Sequence, residues 1–294
     1  MTALFLILCI LSSGFTGNIY KKISDESQSL AVSALMPSLW FAILSFAFAV
    51  GAFITQSDWS TLLPIPAVFA GTCIFLAAFI LIESMKKVAL SISLIIINLN
   101  FVIPVILSAA FLGEHASWIQ VGGILLSIAV IVFTNLSPSQ SKDSMRGAIL
   151  LPLVASLANG LVNFCIKIND TVGGAEFPFF TVMYMSAALC ALLFWMFLRN
   201  CTKGKAKASI KKNVKKVFPY AFLMALCNGV CFYMTDLLAS RMNAAAQFTV
   251  VTCASILLSL TVAFLFQGDR FTKKSLIASI CCVIAVGCQL FSML

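Results

Sequence analysis

Charge is scarce in this sequence of 294 residues: 10% are Asp, Glu, Lys or Arg, against 61% hydrophobic. A water-facing globule of that length carries about a quarter charged residues, so a single soluble domain is excluded. Histidine occurs once, at His115, and the eleven cysteines show no metal-ligand spacing, so neither a metal nor a cofactor is expected. Ten of those cysteines sit in apolar stretches as small packing residues, and only Cys201 reads as a loop residue. Also missing are a nucleophile set beside a base, paired acids and a phosphate-binding loop, which argues against an enzyme. Repeated filter carbonyls and charged rings are absent too, which argues against a channel. No basic stretch precedes the first apolar run, because Lys21 and Lys22 follow it, so that run is expected to stay in the product.

What the chain has in abundance is apolar runs long enough to cross a bilayer, for which about 20 helical residues cover roughly 30 Å. Ten spans are expected, near 2–20, 29–53, 61–83, 88–112, 117–136, 147–168, 177–198, 217–239, 243–266 and 274–292. They must be helices, because lipid offers backbone amides no partner and the alternation of a barrel strand is absent. The net charge of +9 does not point to nucleic acid, because the bases cluster in short loops beside the spans. Seventeen of the nineteen lie on one side of this ten-span layout, eight of them between Arg199 and Lys216. Only Lys167 and Arg241 lie on the side of the termini. The positive-inside rule then puts the basic loops in the cytoplasm and both termini outside the cell (inner) membrane. Arg199 to Lys216 reads as an inside anchor, drawn to anionic lipid.

Two landmarks repeat. Leu112-Gly113-Glu114 between spans 4 and 5 is answered by Gln267-Gly268-Asp269, with Gly113 to Gly268 and Glu114 to Asp269 both 155 residues apart. Gly14 and Lys21 are answered by Gly160 and Lys167, both 146 apart, the difference being taken up by the longer basic loop. The expected organisation is a first five-helix repeat at 1–138, a linker at 139–146 that overlaps the polar run SPSQSKDS at 137–144, and a second five-helix repeat at 147–294. Five is odd, so the two copies enter the membrane from opposite sides, an all-α fold of ten transmembrane helices in two inverted repeats.

The residues Asn98, Pro104, Leu112, Gly113, Glu114, Gln120 and Gly122 give this chain a pattern that resembles the EamA-like family of the drug/metabolite transporter superfamily. Ile277 departs from it, standing where Gly122 stands in the first copy. The resemblance implies a secondary transporter for metabolites such as amino acids, often outward, in which helix bundles from the two halves rock around a midplane site. Its partners are then a small solute and the lipid bilayer, with the protein a monomer or a homodimer. Uptake of a sugar or nucleoside is the alternative within transport, and a non-transporting membrane scaffold is the alternative outside it.

Polar side chains near the middle of the bilayer should face a neighbouring helix or a wet cavity. The candidates are Ser13, Thr72, Asn98, Asn100, Asn159, Asn163, Asn228, Thr252 and Ser255, with Trp40 and Tyr233 as walls. Ser156, Asn159, Asn163 and Lys167 step by three or four residues and so form one stripe on span 6. Such stripes line cavities or pack helices. Pro104 removes the usual partner of the Asn100 carbonyl, leaving a backbone acceptor at mid-depth. Gly14 and Gly160 are candidate hinges or close-packing points, and Gly113, Glu114 and Gly268 are read as turn residues. Glu83 and Asp236 are placed at span ends in surface roles, which leaves an uncharged pocket with Lys167 near one mouth.

Overall fold

The computed structural model describes residues 2–27, 29–87, 93, 96–115, 117–135, 142–201, 207–266, 277, 280, 281, 283, 284, 287 and 288. Among these, every regular element is helical. The helices are α1 Thr2–Glu26, α2 Leu30–Ile54, α3 Pro64–Ser84, α4 Val102–Phe111, α5 Trp118–Asn135, α6 Lys142–Thr171, α7 Glu176–Cys201, α8 Lys207–Ala239 and α9 Ala244–Phe266. Among the described residues, six segments are long and apolar enough to cross a membrane: Thr2–Glu26, Leu30–Ile54, Pro64–Ser84, Leu150–Thr171, Glu176–Asn200 and Lys216–Ala239. Two shorter apolar helices, Ile96–Phe111 and Ala244–Leu258, join them, and the chain is a multi-pass membrane protein. The tenth expected span lies largely outside the described residues; those described within it are helical.

Local chemistry sets several boundaries. Ser29 caps α2 by accepting from the Val32 N–H, and Pro64 opens α3, where a missing N–H costs nothing. Ser117 and Gln120 form a reciprocal capping box on α5: the Ser117 N–H donates to Gln120 Oε1, and the Gln120 N–H donates to Ser117 Oγ. Asp58 caps the 3₁₀ turn Trp59–Thr61, and the donors of Ser60 hold its carboxyl below the usual range. Gly113, at φ 68°, ends α4 in the left-handed region that a side chain resists, so the chain turns back and the Glu114 N–H reaches the Ser108 carbonyl.

Three sequence expectations need correction. Span 4 is not one continuous α-helix, because a 3₁₀ turn at Leu99–Phe101 precedes α4. This is the tightening expected just before Pro104, whose ring denies the Asn100 carbonyl its helical donor. The linker at 139–146 is helical from Lys142 onward. The basic stretch is also helical from Lys207, so α8 reaches 33 residues, about 50 Å, longer than its apolar part.

The core lies among α1, α2, α3, α6, α7 and α8. Its centre is a run of rings: Trp40 edge-on to Tyr20 at 6.0 Å, Phe41 stacked on Tyr184 at 6.0 Å, and Phe48 stacked on Tyr184 at 5.6 Å. Lipid is as apolar as these side chains, so their close packing and ring geometry, about 0.5–1.5 kcal/mol per pair, hold the helices together. Large apolar side chains such as Phe46, Phe53, Ile65 and Trp118 stay uncovered on the outside, as a lipid-facing surface requires. The main pairings are α2 with α7, α1 with α8, and α3 with α6, followed by α3 with α7, α2 with α8, α1 with α9, and α4 with α6.

Candidate functional site

The expected site residues fall into two groups and one outlier. The first group lies where α1, α4, α6 and α9 meet. The Asn100 carbonyl faces Gly160 so closely that a Cβ there would sit 2.7 Å from it and 2.7 Å from Ile103. Gly14 makes the equivalent approach to Leu258 on α9, 2.6 Å from where its Cβ would be. Around them Asn163, Thr252 and Ser255 are buried, while Ser13, Asn98, Asn100 and Asn159 are only partly covered. Pro104 is buried in α4. Ser108, Thr249 and Ser255 keep buried hydroxyl oxygens with no hydrogen-bond partner in the described structure. These hydroxyls leave polar capacity on α4 and α9 that the described residues do not use.

The second group lies between α1, α2, α7 and α8. Asn228 is buried within hydrogen-bonding reach of the Tyr20 hydroxyl. Trp40 is wholly buried in the ring core, its indole N–H without a partner. Tyr233 is partly covered, packed against Phe177 at 5.6 Å and Phe48 at 6.1 Å. Thr72 stands apart at the α3–α7 contact, where its hydroxyl donates to the Val68 carbonyl one turn back on its own helix. Gly268 lies outside the described residues.

A polar cluster joins the α4–α5 turn to α6 and the start of α9. Lys167 Nζ donates to the carbonyls of Ala239 at 2.6 Å and Met242 at 2.9 Å, and lies 2.9 Å from Glu114 Oε1. The other carboxylate oxygen of Glu114 accepts from the Ala244 N–H, the first amide of α9, at 2.7 Å. There the helix dipole also favours negative charge. Beside it, Gln120 and Asn243 exchange amide hydrogen bonds at 3.3 Å, and Asn243 caps α9 through the Ala246 N–H. Glu114 thus ties the α4–α5 turn to α6 and α9, which is more than fixing a hairpin.

Two sequence assignments are overturned here. Lys167 does not stand at an open mouth: it is 4% exposed and bound on three sides. Asp236 is not a surface residue: it is 1% exposed, and neither carboxylate oxygen has a hydrogen-bond partner among the described residues. Sequence reasoning also missed Gln247, buried on α9, whose amide nitrogen donates to the Thr235 carbonyl while its Oε1 has no partner. The signal for Asp236 was present, because Leu237, Leu238 and Ala239 continue the apolar helix beyond it.

With this geometry in place, comparison with known proteins finds one family match, over the first part of the chain. Residues 1–136 match the EamA-like transporter family. This is the family read from Leu112, Gly113 and Glu114, and the EamA-like match ends just after α5. A membrane transporter is the class of protein it supports. No curated protein sequence matches the chain. A crystal structure described only as that of a protein shares the fold over 99% of this chain and 98% of its own, with a TM-score of 0.75 and 15% identity.

Proposed function

We propose that the protein is a secondary carrier that moves a small polar or zwitterionic solute, such as an amino acid, outward across the cell (inner) membrane by alternating access. Its two five-helix halves are inverted copies, with the basic loops cytoplasmic and both termini outside. The observation that carries this reading is a pair of contacts. Gly14 meets Leu258, and Gly160 meets Ile103. Gly14 and Gly160 are 146 apart, and Ile103 and Leu258 are 155 apart, the same two offsets that relate the sequence landmarks. One contact becomes the other when the halves are exchanged.

The helix pairings support the same exchange. If α1–α5 answer α6 onward, α1 with α8 becomes α6 with α3, α1 with α9 becomes α6 with α4, and α2 with α7 maps onto itself. Lys21 also reaches the Met85 carbonyl, at 3.4 Å, as Lys167 reaches those of Ala239 and Met242. In such a frame the glycine crossings are pivots, the polar region of α4 and α9 holds solute, and the Lys167–Glu114 contact closes one side. Only one side can be closed by this pair, so breaking it belongs to the transport cycle.

Counterflow tests the reading. Proteoliposomes loaded with unlabelled amino acids should accumulate a labelled one transiently, and empty liposomes should not. Exchange of sugars or nucleosides alone would move the substrate class to that alternative. No exchange with any of the three would overturn the carrier reading and favour a scaffold.

A further inference from the structure

Asp236 is the most demanding unsatisfied group among the described residues. A carboxylate sealed from water without a donor costs several kcal/mol, so a group placed like this either holds a proton or is kept ionised by a positive charge bound beside it. Among the described residues, the side chains acting on it supply no such charge. Within electrostatic range stand Glu176, the first residue of α7, and Asp170, in the last turn of α6, both acids and both half-exposed. Lys167 acts on Asp170 from a distance, but its ammonium is committed to Glu114 and two carbonyls. One turn before Asp236, Tyr233 packs on Phe177, the neighbour of Glu176, which brings the end of α8 against the start of α7. Next to Asp236, Thr235 receives the amide of Gln247, whose Oε1 is a third buried acceptor without a donor.

We propose that Asp236, approached past Glu176 and Asp170, binds the ammonium group of a small organic cation or zwitterion. The charge runs from half-exposed acids at the helix ends to a buried one within, which attracts a cation and then offers it a desolvated partner. The described residues hold no cluster of three or more His, Cys, Asp or Glu placed to ligate a metal. One carboxylate at contact distance, with two more acting through space, suits an ammonium, which needs charge and acceptors but no closed coordination shell. This deepens the carrier reading, resting on it only for the idea that the bound group belongs to a transported solute.

The test is thermal unfolding of the full chain in detergent, titrated with methylammonium chloride against sodium chloride at equal ionic strength. Methylammonium should raise the Tm saturably and beyond sodium, D236N should abolish that rise, and E176Q should shift its midpoint several-fold higher. No saturable rise beyond sodium, or the same rise in D236N, overturns the site. Should D236N fail to fold, an unchanged midpoint in E176Q overturns it instead. Counterflow keeps the two readings apart: exchange without methylammonium binding removes this site and leaves the carrier, whereas binding without exchange removes the carrier and leaves the site.

Discussion

Glu114 and Lys167, one from each half of the chain, meet at 2.9 Å with the lysine almost wholly buried. Removing one partner leaves a charge in low dielectric, whereas removing both leaves a smaller deficit. Lys167→Met and Glu114→Gln should each lower the Tm, with losses on the order of 3 kcal/mol for a fully buried pair and less here, because Glu114 is 24% exposed. The double variant should recover part of the loss. A double-mutant cycle in detergent measures the coupling, and strict additivity would show that the contact carries no energy.

The two glycine crossings should differ in tolerance. A Cβ at position 160 meets the Asn100 carbonyl, which is backbone and cannot swing away. One at position 14 meets the end of the Leu258 side chain, which can. Gly160→Ala should therefore cost about 1–3 kcal/mol and Gly14→Ala less. Equal Tm losses would place the clash elsewhere.

Asn98→Ala and Asn159→Ala should reduce transport while leaving membrane abundance intact, since both amides are only partly covered beside the α4–α6 crossing. Counterflow rates normalised to protein content check this. Unchanged exchange in both variants would remove them from the solute path.

Much of the fold was legible because membrane helices announce themselves by uniform apolarity, so the starts of α2, α3 and α9 fall within a few residues of expectation. Faces were less legible. Hydropathy gives the depth of Asp236 but not which neighbours cover it, because coverage comes from residues far along the chain. Thr72 illustrates the reverse error, since a mid-span hydroxyl can be satisfied on its own helix. The Asn100 carbonyl that Pro104 leaves without its helical donor lies against Gly160, a contact between distant parts of the chain that hydropathy alone does not show.

Orientation has its own check. A reporter fused after Leu294 should behave as exported, given the weight of bases on the opposite loops. A signal confined to the cytoplasm would invert the layout and place the Lys167 cluster on the inner side.

The dominant pairings among the described residues join α2 to α7, α1 to α8 and α3 to α6, so the main core is built between the two halves. During synthesis the first five helices must wait in the bilayer with their packing faces unmatched until α6, α7 and α8 have been inserted. Assembly is thereby postponed to a late step, and a chain truncated before α8 would offer the cell's quality control a bundle whose aromatic seam has no counterpart.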